Sequence, residues 1–312
     1  MSSQTKNPPQ ARVSVAMCTY NGEDFLDEQI QSILNQSYQN IELIIVDDCS
    51  TDNTFAILEN WKARFPTKFS IYRNEVNLGY NKNFEKAILL SNGDFIAIAD
   101  QDDIWEKEKI AKLVNAFDAE NVILTHCASV HLRDNKLLFK SGELKWENHF
   151  SGNDTRTLYF FNKVQGHNML FRQSLKSYIL PIPKDFFYDW WIAVIATCKG
   201  EIKSVPEYLV KHRLHGKNAY YESFTLTKVE EKKEILKALE NFSSIDCIRE
   251  VDKQLLVQMI TQLRKHLNNF KGGIDFKFFK FLFIHRWLIF SHKKRVFPEW
   301  TLFKSSIKYA RK

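Results

Sequence analysis

The chain has 312 residues, of which 44% are hydrophobic and 26% are charged, and this balance excludes an intrinsically disordered protein. Its length suits one large domain, or a domain with an appendage. Five cysteines without a C-x-x-C pair argue against a disulfide framework or a zinc site. They favour reduced thiols in a cytoplasmic protein.

The two ends of the chain differ in character. Residues 271–312 contain eleven Lys/Arg against Asp275 and Glu299, a local charge of +9 within a total of +7, so the remainder is slightly acidic. Residues 1–11 are polar and lack the apolar segment of a secretory signal, so we expect a flexible tail. The apolar run Phe281–Phe290 is too short for a membrane span.

The N-terminal third of the chain alternates apolar strands with amphipathic helices. Hydrophobic periodicity predicts helices at 23–34, 54–65 and 83–90. The predicted strands are Val13–Cys18, Ile41–Val46, Phe69–Tyr72 and Asp94–Ala99. This alternation predicts an α/β fold in which right-handed βαβ units form a mostly parallel, Rossmann-like central sheet flanked by helices.

Polar side chains follow each of these four strands: Tyr20-Asn21, Asp47-Asp48, Asn77–Gly79 and Asp100–Asp103. A single cluster of this kind is commonly a helix cap. Four clusters at the carboxyl ends of parallel strands instead predict one ligand-binding crevice. The chain has neither G-x-G-x-x-G nor a Walker A sequence, so a dinucleotide-binding fingerprint and a P-loop are unsupported.

The segment Phe95–Trp105, FIAIADQDDIW, ends a buried strand in three carboxylates. Asp100, Asp102 and Asp103 would repel one another unless a cation lay among them. Mn²⁺ or Mg²⁺ suits such oxygen ligands and shares its remaining positions with phosphates. The alternative is an acidic turn in which Asp103 caps a helix over Glu106–Phe117.

The chain resembles the family 2 glycosyltransferases of the GT-A fold in four segments. In chain order these are V-S-V-x-M-x-T-Y-N-G, I-I-V-D-D-x-S-T-D-N-T, N-x-G-x-N-x-N and D-Q-D-D-I-W. The last is similar to bacterial members that build cell-surface polysaccharide, including rhamnosyltransferases. The resemblance implies a GT-A domain over 12–220, with a nucleotide-sugar-binding half at 12–117 and an acceptor-binding half at 118–220.

The resemblance also implies roles for the crevice residues. The nucleotide base of a UDP- or dTDP-sugar would lie against Tyr20, with Asp48 bonded to its edge, and an aromatic face beside an acceptor carboxylate suits a base with N–H donors. Asp47 would cap the next helix. The other donor-site residues would be Thr19, Asn21, Asn77, Gly79, Lys82, Asp100 and Gln101.

The implied metal, Mn²⁺ or Mg²⁺, would be held by Asp102, Asp100 and His215. Arg213 would contact phosphate. A purely structural histidine is the open alternative for His215, and a solvated helix lysine is the open alternative for Lys82.

The acceptor side is assigned by resemblance in the same way. Asp189 lies in the aromatic-rich helix predicted over Asp185–Cys198, where apolar surroundings would raise its pKa and suit it to act as a general base. A helix cap is the alternative. Gly166, His167, Asn168 and Trp190 would contact the acceptor, although the first three could equally be turn residues.

The resemblance thus implies an inverting, metal-dependent glycosyltransferase that acts on a saccharide or lipid-linked saccharide in O-antigen, capsule or lipopolysaccharide synthesis, with rhamnose as one candidate sugar. The alternative is a non-catalytic nucleotide-sugar-binding or scaffolding module. The presence of both Asp102 and Asp189 argues against that alternative. A nucleotidyltransferase would carry a glycine-rich basic loop near the N-terminus, which is not found here.

Residues 221–312 are predicted to be a helical C-terminal region. Residues 222–270 suggest a helical hairpin, and 271–312 interleave aromatic residues with lysines. Such a mixture suits either an anionic membrane surface or packing on the protein body. The first alternative predicts a peripheral protein on the inner face of the cytoplasmic membrane. No nucleic-acid-binding motif is present.

Overall fold

The computed structural model describes residues 10–138, 150–184, 186–216, 227–269, 272–291 and 298–311. Its N-terminal half contains four parallel strands in the spatial order β3-β2-β1-β4. The strands are β1 (Val13–Thr19), β2 (Ile41–Asp47), β3 (Phe69–Arg73) and β4 (Phe95–Ala99). All four strands predicted from the apolar runs are confirmed.

Helices cover this parallel sheet, and their first residues differ from the predicted ones by a few positions. They are α1 (Leu26–Leu34), α2 (Thr54–Arg64), α3 (Tyr80–Leu90) and α4 (Lys109–Asn115). α3 begins directly after Gly79, whose φ of 81° favours glycine. α4 begins later than predicted because Ile104–Trp105 forms a short strand, β5. Asp103 therefore does not cap α4, and the capping alternative is wrong for this residue.

The second half extends the sheet with antiparallel as well as parallel pairs. β8 (Met169–Arg172) lies antiparallel between β4 and β6 (Val122–Arg133), and β6 pairs in parallel with β9 (Glu201–Arg213). β5 pairs antiparallel with β9, and the short β7 (Lys136–Leu138) pairs antiparallel with β6. The full order is β3-β2-β1-β4-β8-β6-β9-β5, and the predicted α/β fold class is confirmed.

Two helices follow β8. α5 (Lys176–Ile179) is short, and α6 (Tyr188–Lys199) corresponds to the aromatic-rich helix of the sequence. Asp185, its predicted first residue, lies outside the described residues.

Five further helices follow β9 in the described part of the chain. They are α7 (Lys228–Ser243), α8 (Glu250–Asn269), α9 (Phe276–Ile284), α10 (Arg286–Ile289) and α11 (Pro298–Ala310). Thr227 and Glu230 form a capping box that starts α7, and α7 and α8 are the predicted hairpin. Across the part of the chain that the structure describes, every helix is too short or too polar to cross a membrane.

Alternating residues of the strands feed two hydrophobic cores, one on each face of the sheet. One core packs α1, α2 and α4. The other packs α3, α6 and the C-terminal helices, where Phe278, Leu282 and Phe290 are fully buried. The packing alternative for the aromatic tail is thus observed on one side, whereas Phe276 and Trp300 remain 75% and 58% exposed.

Candidate functional site

Two aspartates after β4 form hydrogen bonds with residues at and just beyond the end of β9. Asp102 Oδ2 lies 2.8 Å from His215 Nε2. Asp103 is fully buried, and its Oδ1 lies 3.0 Å from His212 Nδ1 and accepts the backbone N–H of Arg213 at 3.1 Å. These contacts bring the acidic segment together with the predicted metal-binding histidine, which lies 113 positions away in the chain.

Asp100 and Asp103 belong to a cluster with two histidines. One ligand atom from each of Asp100, Asp103, His167 and His212 lies within 4.8 Å of the others. In the described structure, Asp103 Oδ2 is buried without a hydrogen-bond partner. An unpaired buried oxygen among carboxylate and imidazole donors is an arrangement that a divalent cation satisfies, so the residues present fit Mn²⁺ or Mg²⁺.

Burial and charge together raise the pKa values of Asp100 and His212 in this cluster and lower that of His167. Burial raises the pKa of Asp100, and the charge of Asp103 adds to the rise. Burial lowers the pKa of His167 to about 3. Burial also lowers the pKa of His212, but the charge and hydrogen bond of Asp103 outweigh it and raise that pKa to about 9. His167 is therefore a neutral imidazole, able to ligate or accept, whereas His212 is an imidazolium paired with Asp103 that would have to lose its proton to ligate a metal.

Asp48 organises the loop after β3. Its Oδ1 accepts the backbone N–H of Leu78 at 2.8 Å, and its Oδ2 accepts that of Gly79 at 2.9 Å. Asn77 donates to the Asp48 carbonyl oxygen at 3.3 Å. The predicted donor-site residues Asp48, Asn77 and Gly79 thus form one connected unit at the sheet edge.

Tyr20 and Gln101 are joined across the crevice. The Gln101 amide accepts the Tyr20 backbone N–H at 2.9 Å and donates to the Tyr20 carbonyl oxygen at 3.0 Å. A Cβ on Gly22 would lie 2.2 Å from Gln101 Oε1, so a larger residue at position 22 would push the Gln101 amide out of this contact. The Tyr20 side chain is 47% exposed at the crevice edge, where an aromatic face can meet a ligand ring.

The neighbouring predicted residues have internal partners. Asn21 has a φ of 47° and accepts the backbone N–H of Thr51 at 2.8 Å. Thr19 is buried and donates to Asp47, which also accepts from Ser50 in the loop before α2. The N-cap position of α2 is Asn53, so the predicted capping role of Asp47 is wrong. Lys82 Nζ lies 2.9 Å from Glu85 Oε1 on the surface of α3, which favours the helix-lysine alternative.

Asp189 is held at the start of α6 by two backbone donors. Its Oδ1 accepts the N–H of Trp190 at 2.7 Å, and its Oδ2 accepts that of Gly166 at 3.2 Å. Burial raises the pKa of Asp189 to about 6, against the lowering effect of these hydrogen bonds. A carboxylate with that pKa accepts a proton more readily than an exposed one and is still ionised at neutral pH.

The turn Gly166–Asn168 connects Asp189 to the acidic cluster. Gly166 donates to Asp189, and the next residue, His167, places Nδ1 3.5 Å from Asp100 Oδ2. A Cβ on Gly166 would lie 2.1 Å from the Tyr188 hydroxyl, so this close packing requires glycine. The turn therefore fixes the candidate base and the candidate metal ligands relative to each other.

Two predicted acceptor contacts have packing roles. Trp190 is 6% exposed, and its indole N–H donates to the Leu158 carbonyl oxygen at 2.6 Å. Asn168 is buried, and its amide donates to Gln165 and Ser129. Neither side chain is exposed to the crevice. Tyr80, which was not predicted, is an exposed aromatic residue near the site: it is 45% exposed, and its ring centroid lies 6.4 Å from that of Tyr188.

Arg213 supports the site through neighbouring groups. Its Nε donates to the Asp102 carbonyl oxygen at 3.0 Å, and its guanidinium pairs with Glu28 and lies over the Phe25 ring. These contacts favour a role for Arg213 in positioning the Asp102 backbone, in addition to the predicted contact with phosphate.

Sequence reasoning missed Lys109, which is fully buried beneath the cluster. Its Nζ donates to the His167 carbonyl oxygen at 2.7 Å and lies 3.3 Å from the Trp105 ring centroid. Burial lowers the pKa of Lys109 to about 7, although nearby acidic groups oppose the shift. The one available signal was a lysine on the apolar side of a predicted helix.

Comparison with known proteins identifies the family. The model of "Glycosyl transferase family 2" matches residues 14–179, more than half of the chain. A glycosyltransferase of Haemophilus influenzae is 31% identical over 216 residues, which are 65% of this chain and 66% of that protein. Protein Rv1520 of Mycobacterium tuberculosis is 26% identical over 222 residues, or 68% of this chain. The chain spans 62% of that relative, so both matches fall just under two thirds of the relatives' length.

Shorter and structural similarities agree with this result. The dTDP-rhamnosyl transferase RfbG of Shigella flexneri is 39% identical over 109 residues, 34% of this chain and 38% of that protein. S. aureus TarS 1-349 in complex with UDP-GlcNAc superposes with a TM-score of 0.63 at 17% identity, covering 95% of this chain and 90% of that 1-349 chain. The chain therefore belongs to glycosyl transferase family 2 and has the GT-A fold, as its four motifs predict.

Proposed function

We propose that the protein is an inverting, metal-dependent glycosyltransferase that moves a sugar from a nucleoside-diphosphate donor to a saccharide hydroxyl. The turn Gly166–Asn168 is the observation on which this proposal rests. It holds Asp189, a proton acceptor with a raised pKa, next to a cluster of carboxylates and imidazoles suited to a divalent cation. Sugar transfer from a nucleoside diphosphate requires a proton acceptor for the attacking hydroxyl and a cation that binds the diphosphate.

In the proposed reaction the residues of the chain have distinct tasks. Asp189 accepts the proton of the acceptor hydroxyl as that oxygen forms its bond to the anomeric carbon. The bond from the anomeric carbon to the donor phosphate breaks, and its electron pair leaves with the nucleoside diphosphate. Tyr20 and Asp48 hold the base. Asp100, which belongs to the cluster, would hold Mn²⁺ or Mg²⁺ together with Asp102 and His215, whose side chains lie 2.8 Å apart. The bound cation would stabilise the charge of the leaving group.

Attack from the side opposite the leaving group inverts the anomeric configuration in one displacement, so no covalent sugar–enzyme intermediate is expected. The remaining donor-site residues, Thr19, Asn21, Asn77, Gly79 and Gln101, shape the loops around the nucleotide.

The donor and acceptor are proposed from the relatives. RfbG is a dTDP-rhamnosyl transferase, RfbV of Salmonella typhimurium is an abequosyltransferase, and TarS was crystallised with UDP-GlcNAc. PcManGT of Pyrobaculum calidifontis, which has a TM-score of 0.59 at 16% identity, was crystallised with GDP-Man and Mn²⁺. We infer a UDP- or dTDP-sugar, with rhamnose as a candidate, and a lipid-linked saccharide of bacterial surface polysaccharide as acceptor.

The exposed aromatic residues and lysines of the C-terminal helices support peripheral attachment to the inner face of the cytoplasmic membrane. Phe276 and Trp300 are exposed on α9 and α11, helices that also carry exposed lysines, and Trp287 is exposed on α10 next to Arg286. Aromatic rings at headgroup depth and lysines near an anionic surface both favour such attachment.

Substitution of the proposed base tests the function. Asp189→Asn should bind nucleoside diphosphate as the wild type does, but transfer should fall by about 10²-fold or more because the proton acceptor is lost. Transfer is measured from dTDP-rhamnose and UDP-GlcNAc to lipid-linked saccharide in bacterial membrane extracts. The control is Asp246→Asn, an exposed carboxylate outside the site. Transfer by Asp189→Asn at the wild-type rate would contradict the assignment, and binding without transfer by the wild type would favour a non-catalytic module.

A further inference from the structure

A basic groove lies between α11 and the first residue of α7. It encloses about 350 Å³. Its lining consists of four cationic and three apolar residues: Lys228, Lys304, Lys308, Arg311, Trp300, Phe303 and Ile307. We call it the α11 groove.

The charge of the α11 groove has one sign. Among the residues that the structure describes, none that lines the groove is acidic. The neighbouring carboxylates are engaged elsewhere, because Glu231 accepts the Tyr309 hydroxyl at 2.6 Å and Glu299 pairs with Arg286 at 3.1 Å. Clustered lysine and arginine side chains without internal carboxylates favour an anionic ligand, and phosphate is the anion that such groups bind well.

The apolar wall of the groove is aromatic and partly open to solvent. Trp300 is 58% exposed and stacks on Phe303 at 5.6 Å. Phe303 contacts Phe279 and Phe283 of α9 at 5.7 and 5.9 Å, so the aromatic surface continues onto the neighbouring helix. Free phosphate gains nothing from these rings, whereas a phosphate attached to acyl chains can use both the cations and the rings.

We propose that the α11 groove binds the phosphate headgroup of an anionic phospholipid and so lays α11 on a membrane surface. This inference deepens the proposed function and rests on it, because membrane attachment helps the reaction only if the protein transfers sugar to a lipid-linked acceptor. Four cations around an aromatic wall provide the binding chemistry.

The position of α11 connects this attachment to the proposed active site. Tyr309, near the end of α11, packs against Phe161 with ring centroids 5.4 Å apart. The next residue, Asn162, lies close enough to Asp189 to influence its pKa. A membrane that is bound through α11 would therefore lie close to the segment that supports the proposed base, where a lipid-linked hydroxyl has to arrive.

Vesicle flotation of the full chain tests the inference. The probes are phosphatidylcholine vesicles with and without phosphatidylglycerol. Lys304→Glu/Lys308→Glu should weaken binding to the anionic vesicles by more than about tenfold, since each lysine near such a surface contributes appreciably to binding. The control, Lys62→Glu/Lys136→Glu, makes the same change in net charge at exposed positions far along the chain and should bind nearly as the wild type. Equal losses in both double variants would overturn the groove assignment.

Two further readouts identify the ligand. Brominated phosphatidylglycerol should quench tryptophan fluorescence in the wild type, and Trp300→Phe should remove much of that quenching. Undiminished quenching in Trp300→Phe would contradict contact at the groove. Full displacement of the protein from vesicles by soluble glycerophosphate would overturn the phospholipid assignment in favour of a free phosphate ligand.

A separate titration keeps this inference distinct from the proposed function. The groove variants should bind nucleoside diphosphates as the wild type does, which also verifies that they are folded. Normal nucleotide binding together with unchanged vesicle binding would overturn the membrane site and leave the transferase proposal intact.

Discussion

Asp189, the proposed base, has surroundings that suit a carboxylate to accept a proton. Burial raises its pKa to about 6, and two backbone N–H groups hold both carboxylate oxygens. The carboxylate is protonated below its pKa and cannot then accept a proton from a hydroxyl. Activity is thus expected at neutral pH and lost on the acidic side.

The pH dependence of kcat/KM should report this shift. Below about pH 6 the value should fall about tenfold per pH unit, whereas an ordinary aspartate would put that limb near pH 4. Initial rates are measured at saturating Mn²⁺, so that protonation of metal ligands does not limit activity, and circular dichroism checks the fold at each pH. A profile that stays flat down to pH 5 would contradict the base assignment for Asp189.

Cys49 lies in the left-handed region with a φ of 63°, between Asp48 and Ser50 of the second motif. A side chain in this region costs about 1–2 kcal/mol, which glycine avoids. Cys49→Gly should raise the free energy of unfolding by about 0.5–1 kcal/mol, because the higher backbone entropy of glycine in the unfolded chain offsets part of the gain. Urea denaturation measures the change.

Cys49→Ala is the matched control for that prediction. It removes the same sulfur but keeps a Cβ in the left-handed conformation, so it should not stabilise the protein. If both variants change stability equally, strain at Cys49 is not the cause.

The sequence was informative for residues whose roles are local. The motifs predicted Tyr20 and Asp102 at the crevice because each directly follows a strand that its own apolar pattern identifies. Lys109 and Asp103 could not be assigned in this way. Their partners, the His167 carbonyl oxygen and the end of β9, lie 58 and about 110 positions away.

At the scale of elements, the turn Gly166–Asn168 determines the geometry of the site. Gly166→Ala places a Cβ 2.1 Å from the Tyr188 hydroxyl, so the turn or α6 must shift. Because this turn orients both Asp189 and His167, transfer should fall by about 10²-fold, as expected for a displacement near 1 Å. The assay is steady-state transfer, with circular dichroism as a check of folding.

Gly216→Ala serves as the control, because a Cβ there meets nothing within 4 Å. Its transfer rate should stay close to that of the wild type. Full activity of Gly166→Ala would show that the turn does not position the site.

The parallel strands were predictable and the later strands were not, for a physical reason. Each of β1, β2 and β4 is an apolar run with turn residues on both sides, which identifies a buried strand without knowledge of its neighbours. β6 and β9 mix polar and apolar residues and form through long-range pairing with each other. That the end of β9 meets the acidic segment became clear only from the structure.

At the scale of the whole molecule, one hydrophobic core joins the sheet to the C-terminal helices. Phe242 of α7 packs against Trp190 of α6 at 5.5 Å, and Phe290 packs against Phe160 at 6.4 Å. The aromatic content of the tail could not distinguish this packing from membrane contact, because the same residue types serve both purposes. The structure shows buried rings on one side of these helices and exposed rings on the other.

The gathering of polar clusters at one sheet edge was the most useful prediction at this scale. It follows from parallel strand direction alone, and the hydrogen bonds between Gln101 and Tyr20 and between Asp48 and Gly79 confirm that the clusters meet.

Calorimetric titration with UDP, dTDP and GDP, each with Mn²⁺ and with EDTA, tests the central claim most directly. One nucleoside diphosphate should bind in Mn²⁺ and lose about tenfold or more of its affinity in EDTA, because the cation neutralises the diphosphate charge. Asp102→Ala should show the weak binding even in Mn²⁺, and the exposed-site control Asp246→Ala should bind as the wild type. Identical titrations with and without the metal, or for Asp102→Ala and wild type, would contradict a metal–diphosphate site at Asp102.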